Sequence, residues 1–339
     1  MTQSADTSIF SPTSDRRRKL LFAGAAAVAL PGVMAQDRWP AKPVRMIIPF
    51  PPGQATDIYG RLFAERLSRL WGQAVVVENR AGASSIIGME AIKGSAPDGY
   101  TLGMASSGPL AINPSVFSKL SYHPIRDFTP ISLAFIAPLV ILVNNDLPAR
   151  NVAELVTLLK QQPGRLSYAS GGAGTSQHLA CELFKLSTKT YALHIPYKGS
   201  GPALTDLIGG QVQFMIDSVS AALGHIPAGR IRARAVTSAR RNPSIPNVPT
   251  VAESGVPGLQ DFEAVGWGGL IGPAGMPAAV TQKISRDFGE VLRDDAIVQR
   301  VNGTGSVVRA LAGSEFARFI ASEIGKWSGA ARASNTRLD

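Results

Sequence analysis

Between residues 44 and 106, short apolar runs alternate with stretches in which apolar positions recur every three or four residues, as when strands and amphipathic helices follow one another. Residues 44–50 read as a buried strand. A Pro-Pro-Gly loop follows, and the spacing predicts a helix over 57–70, with Ile58, Leu62, Phe63, Leu67 and Leu70 on one face and Thr56 or Asp57 as its cap. Residues 74–79 form the next predicted strand. A Gly-Ala-Ser-Ser loop and a second helix come next, ending before Pro97-Asp98-Gly99, and the third strand covers 101–106. Repetition of this kind predicts a parallel sheet with right-handed crossovers.

The run 131–144 is apolar, interrupted by Pro138, and reads as a strand passing from one lobe to another. A second series follows, with strands near 139–143, 166–169, 193–196, 212–217 and 234–237. Its helices start near Asn151, Ser176 and Pro202, the last stopped by Gly209-Gly210. Residues 263–271 form a strand that carries the chain back. Two closing helices bury Val280, Ile284, Phe288 and Val291 over 278–293, and Phe316, Ile320 and Trp327 over 314–330. The fold class is therefore α/β with two lobes, 36–138 plus 264–339 and 139–263, joined by two crossing segments. Ligands of open α/β sheets bind beyond the carboxyl ends of the strands, and two such edges facing across a hinge make a cleft that shuts.

The first residues form an address rather than a lobe. Arg16, Arg17, Arg18 and Lys19 precede an apolar, alanine-rich stretch over 20–30, Pro31-Gly32 breaks it, and Val33-Met34-Ala35 offers a small-residue cleavage site. This predicts a secretory signal over 1–35, cleaved near Ala35, and export of the mature chain. The arginine pair also resembles a twin-arginine signal. The stretch is too short for a permanent bilayer span. No cysteine follows the cleavage site, which argues against a lipoprotein.

Composition narrows the chemistry. The single cysteine, Cys181, excludes an internal disulfide, and the four histidines (His123, His178, His194 and His225) stand at no metal-ligand spacing, so no metal and no cofactor is expected. Of the formal charge of +10, the leader's four positives against Asp6 and Asp15 leave +8, mostly scattered apart from Arg230, Arg232, Arg234, Arg240 and Arg241. Nucleic-acid binding wants a basic stripe with interleaved aromatics, which is missing; a mild positive field draws anionic solutes instead. No Gly-x-Ser-x-Gly elbow, P-loop or His-Glu-x-x-His motif occurs, so no catalysis is expected.

Several strand-to-helix junctions are rich in Gly, Ser and Thr: Pro52 to Asp57, Gly82 to Ser85, Ser106 to Gly108, and Ser170 to Ser176. Glycine admits backbone N–H groups close to a ligand, and the helix start that follows offers unpaired donors, a combination that favours a carboxylate without requiring arginine. Each loop alone reads as an ordinary turn or cap; four at corresponding places in two lobes point to binding. Some positions stay open. Asp57 caps its helix or meets the ligand, and Asp217 faces the cleft or a neighbouring N–H. His178 borders the cleft or lies on the surface, and Arg234 has an exposed face or a buried partner. Lys198, in the Tyr197-Lys198-Gly199 turn, is read as solvated.

At these residues a family resemblance emerges. The carriers are Trp39-Pro40-x-Lys42-Pro43-Val44-Arg45, Ile48-Pro49-Phe50-x-Pro52-Gly53-x-x-Thr56-Asp57, Val77-Glu78-Asn79-Arg80-x-Gly82-Ala83, Ala96-Pro97-Asp98-Gly99-Tyr100-Thr101-Leu102 and Ile112-Asn113-Pro114. In the second half come Pro196-Tyr197-Lys198-Gly199-x-x-Pro202-Ala203-Leu204, Gly209-Gly210-Gln211-Val212, Ala235-Val236-Thr237-Ser238 and Val248-Pro249-Thr250-Val251. In order and over essentially the whole mature chain, these resemble the Bug, or tripartite tricarboxylate transporter receptor, family of periplasmic solute-binding proteins. The resemblance implies a type II periplasmic-binding-protein fold and a monomer that binds a small carboxylate and hands it to the membrane subunits of such a transporter. Carried over by position, the site comprises Gly53, Gln54, Thr56, Asp57, Ala83, Ser84, Ser85, Ser106 and Ser107 from one lobe, and Gly172, Gly174, Thr175, Ser176 and Asp217 from the other. Three departures bear on ligand choice: Gln54-Ala55 and Ser84-Ser85 stand where family members usually carry glycines, and Arg234 where an apolar residue is usual. A periplasmic sensor that presents its liganded form to a signalling receptor shares the same fold and ligand chemistry.

Overall fold

The structure is a computed structural model and describes residues 39–338; the predicted leader over 1–35 lies outside the described residues. The chain opens with β1 (Val44–Ile48), α1 (Ala55–Trp71), β2 (Val75–Asn79), α2 (Ile86–Lys93) and β3 (Thr101–Ser106). A π-helical turn at Gly108–Ile112 leads through α3 (Asn113–Val116) into the long strand β4 (Phe128–Val143). Next come α4 (Val152–Gln161), β5 (Ser167–Ser170), α5 (Ser176–Thr188), β6 (Leu193–Pro196), α6 (Ser200–Ile208), β7 (Phe214–Ser218), α7 (Val219–Ala222) and β8 (Arg232–Val236). The chain closes with β9 (Val265–Pro273), α8 (Ala278–Arg293), α9 (Asp295–Asn302), β10 (Val307–Ala312) and α10 (Gly313–Ala333).

The strands run in the order β2-β1-β3-β9-β4-β7-β5-β6, with β8 and β10 also paired to β4. Each βα series pairs in parallel, β1 with β2 and β3, and β5 with β6 and β7. Where the crossing strands enter, pairing turns antiparallel. From Phe128 to Pro138, β4 lies along β9, and from Leu139 to Val143 it lies along β7 and β8. Pro138 marks the change of neighbour on the β7 side, where a residue without an N–H interrupts a ladder at least cost.

Strand β1 is buried on both faces, with Val44, Met46, Ile47 and Ile48 all inaccessible, as a parallel strand covered by helices requires. Helix α1 corrects the predicted face. It buries Tyr59, Gly60, Phe63, Ala64 and Leu67, while Ile58 and Leu70 stay 48% and 47% exposed. Small residues set this rotation, because a Cβ at Gly60 would lie 2.6 Å from Ile48 Cδ1, so the helix sits too close to β1 for anything larger. Its start carries no side-chain cap; the N-cap position is Gln54, not Thr56 or Asp57. Helix α10 buries Phe316, Ile320 and Trp327 as read from the sequence, and with them Glu323, whose Oε2 accepts from the Trp267 indole at 2.9 Å and the Trp327 indole at 3.0 Å. Lys326 pairs with the other carboxylate oxygen. Helix α9 and strand β10 were not anticipated, and Val280 is only partly buried.

Arg234 is half-buried on β8, and its Nε and Nη2 have no hydrogen-bond partner. Its neighbour Arg232 instead donates to the carbonyls of Asn145 and Leu147. The sequence alternative of an exposed face or a buried partner resolves to neither.

Candidate functional site

A cavity of about 510 Å³ lies where strand ends of both βα series come together. From the first series its wall takes Gln54, Ala55 and Thr56 at the start of α1, and Ser106 to Gly108 after β3. From the second it takes Gly171 and Gly174 to Gln177 at the start of α5, Gly199-Ser200 at the start of α6, and Ser218 and Ser220 at α7. Phe50, Phe135 and Trp267 supply an aromatic side, and Ser306 another hydroxyl. Among the described residues, the wall carries no Lys, Arg, His, Asp or Glu.

The helix starts define what such a wall does. Neither α1, the π-helical turn nor α6 has a side-chain cap, and the first residues of all three line the cavity. The leading N–H groups of a helix have no partner within it and carry the positive end of its dipole. Their convergence, in a wall that also holds seven serines, two threonines and two glutamines, suits a negatively charged oxygen group met by neutral donors. Helix α5 differs: Thr175 Oγ1 accepts from His178 N at 3.3 Å and donates to Gly172 O at 2.8 Å, which fixes the loop ahead of it.

Over residues 59–335 the sequence matches the tripartite tricarboxylate transporter family receptor. The chain belongs to this family. Protein BugT of Bordetella pertussis is 38% identical over 319 residues, covering 94% of this chain and 96% of that one. A solved structure of Rhodopseudomonas palustris Rpa4515 with adipate is 33% identical, with a TM-score of 0.76 over 88% of this chain and all of that one. MatC from the same organism, solved with bound malate, is 29% identical, with a TM-score of 0.71 over 86% and 99% of the two chains. The family is one of solute-binding receptors, not enzymes, and its solved members share the two-lobed α/β fold class read from the sequence.

In this tripartite tricarboxylate transporter receptor, seven of the fourteen residues nominated from the sequence lie on the cavity wall: Gln54, Thr56, Ser106, Ser107, Gly174, Thr175 and Ser176. The other seven do not. Gly53 and Asp57 form a latch behind α1. The Gly53 N–H donates to Asp57 Oδ2 at 2.9 Å, and the buried Asp57 carboxylate also accepts from Arg61 and Asn79. Burial raises the Asp57 pKa, but these donors outweigh it and hold the group below its ordinary value. Ala83, Ser84 and Ser85 form a turn with φ of 45°, 52° and 75°, off the wall, whose Ser84 carbonyl accepts from Asn113 Nδ2. Gly172 stands behind Thr175 as its acceptor.

Asp217 is fully buried at the end of β7. Its Oδ1 accepts from Ser218 N at 2.7 Å and Gln177 Nε2 at 3.2 Å, which resolves the sequence alternative toward a neighbouring N–H. Burial pushes its pKa up, against the pull of donors that include the hydroxyls of Ser200 and Ser218. The carboxylate therefore orients Gln177 and the start of α7 at Ser218 from behind, while its Oδ2 is buried without a hydrogen-bond partner. Gln177, Ser200 and Ser218, with Gly199, Ser220, Ser306 and the aromatic side, are among the wall residues that sequence reasoning missed. Gly199-Ser200 and Ser218 each follow a predicted strand, so the rule that picked out Ser106-Ser107 would have found them. Nothing local marks Phe135, Trp267 or Ser306.

Proposed function

We propose that this receptor captures a small carboxylate-bearing solute between two lobes, 36–138 with 264–339 and 139–263, and delivers it in the periplasm to the membrane subunits of a tripartite tricarboxylate transporter. The observation that carries the reading is the set of three uncapped helix starts on a wall without charged side chains. Hydrogen bonds to a charged group contribute about 1.5–3 kcal/mol each. A few of them bring a carboxylate to the about −8 kcal/mol of a micromolar complex once the aromatic side offsets part of the cost of association. Solved relatives with adipate and malate, and others described as periplasmic, support the ligand class and the compartment.

A thermal-shift panel of dicarboxylates, tricarboxylates, amino acids and aromatic acids tests this. A ligand at a hundred times its Kd stabilises the native state by about 2.7 kcal/mol, enough to raise Tm by several degrees. At least one carboxylate produces that shift while its amide or ester does not; a uniform null rejects the reading. Deleting the genes for the cognate membrane subunits tests delivery. Uptake that survives the deletion, with ligand-dependent gene induction kept there but lost when the gene for this chain is deleted, would favour the sensor role instead.

A further inference from the structure

His178 is 5% exposed in the first turn of α5, directly after the wall residues Gly174 to Ser176. The Gly174 N–H donates to His178 Nδ1 at 3.1 Å. A ring nitrogen that accepts a backbone N–H holds no proton, so the imidazole is neutral with its hydrogen on Nε2. The His194 ring on β6 stacks on it, centroids 3.9 Å apart and planes 12° apart. His194 Nε2 lies 2.7 Å from Ser170 Oγ, which also accepts from Gly172 N and donates to Gly172 O. The two rings thus hold both ends of loop 170–175, whose Gly171, Gly174 and Thr175 face the ligand cavity. His178 and His194, together with Ala173, line a separate cavity of about 670 Å³.

The surroundings favour neutral rings. Glu182 and Lys185 of α5 and Lys189 just after it face them, along with the buried Cys181, beside which Asp217 of β7 lies; β5 contributes Tyr168, the segment before β6 Tyr191, and the carboxyl-terminal tail Arg337. Glu182 is the one acid beside them on α5. Its Oε1 accepts from Lys185 at 2.6 Å and from the Tyr168 hydroxyl, and stands 3.9 Å from His178 Nε2. Burial lowers the pKa of both rings, and for His194 burial together with the neighbouring His178 brings it to about 4. Both folded values lie below the ordinary 6.5, so the pair's contribution to stability is present above that pH and is lost as pH falls toward about 4.

We infer that His178 and His194 are positioning residues of the ligand site: as neutral rings they hold loop 170–175 in the shape that meets the carboxylate, and protonating His178 removes the acceptor beneath Gly174 and frees the loop. The inference rests on the carboxylate-binding reading for its consequence but not for its first test. The Gly174 amide of the ligand-free, ¹⁵N-labelled protein is followed by NMR from pH 8 to 4.5, alongside the His178 ring signals. The expected result is that the amide shift and its hydrogen-exchange protection change in step with His178 titration. In His178→Asn, which places a non-titrating acceptor near the Nδ1 position, both stay constant; in His178→Leu, protection is already low at pH 8.

Adipate and malate affinities are measured over the same range. Wild type weakens by about tenfold more than His178→Asn between pH 7.5 and 5; because both see the same ligand protonation, their ratio isolates the imidazole. A Gly174 amide indifferent to His178 titration overturns the proposal, as does a His178→Asn protein with the wild-type pH profile. If neither acid binds at any pH while the amide still follows His178, the support of the loop stands and the carboxylate reading falls.

Discussion

Replacing Glu323 with leucine lowers the unfolding free energy by about 3–5 kcal/mol, the cost of leaving two buried indole donors and a lysine without their common acceptor. Glu323 Oε2 receives both Trp267 and Trp327, and the residue is 2% exposed, so no water takes the place of the lost oxygen. Glu323→Gln keeps a carbonyl with two lone pairs at that position and loses only the attraction to Lys326, so it costs less than half as much. Urea denaturation of the two variants and wild type reads the difference directly. Equal midpoints for leucine and glutamine would show that the indole bonds contribute nothing. Because Trp267 also forms part of the candidate cavity wall, the leucine variant should bind more weakly than the glutamine one even below its unfolding transition.

Gly174→Val weakens ligand binding by about tenfold to a hundredfold, so at a hundred times the wild-type Kd the ligand-induced rise in Tm falls to about half or less. Two independent constraints act at this position. Its φ of +74° is one that a β-branched residue adopts at a cost of about 1–3 kcal/mol, and a Cβ there would lie 2.6 Å from Leu338 Cδ1. The tail that carries Leu338 is itself fixed by its N–H to the Val116 carbonyl at 2.9 Å. Adding Leu338→Ala removes the clash but leaves the torsion, so the double variant recovers stability in part and binding little. A Gly174→Val protein that keeps the wild-type thermal shift would remove this loop from the ligand site.

Strands and long helices were legible because burial on one or both faces writes a period into the sequence; 101–106, 193–196 and 278–293 coincide with β3, β6 and α8. The errors have physical causes. Counting large apolar residues placed Phe63 and Leu67 correctly but set the buried face of α1 off centre, because Gly60 and Ala64, which carry little hydrophobic signal, are what approach the sheet. Strand β10 alternates too weakly to be seen: it is partly exposed throughout and its pairing with β4 slips between Val308 and Leu311. Helix α9 buries just Ile297 and Val301. For the site, glycine and hydroxyl at a strand end identified the wall where the next helix start is uncapped. The same signal misled at residues 83–85, where three consecutive positive φ values make a tight turn away from the cavity. Asp57 and Asp217 could not be placed from sequence, because a carboxylate that orients donors and one that meets a ligand need the same residue in the same segment.

Strands β4 and β9 pair with each other over nine positions from Phe128↔Pro273 to Pro138↔Val265, so the crossings are not two independent threads. Between Pro130 and Ile136 each strand has a further neighbour, β9 pairing with β3 and β4 with β10, so the pair narrows to a two-stranded neck at Ala137-Pro138 against Val265-Gly266, where twist costs little and shear breaks backbone bonds. Torsion between the two βα series would then be confined to that neck, with Trp267 and Phe135 of the cavity wall just beside it.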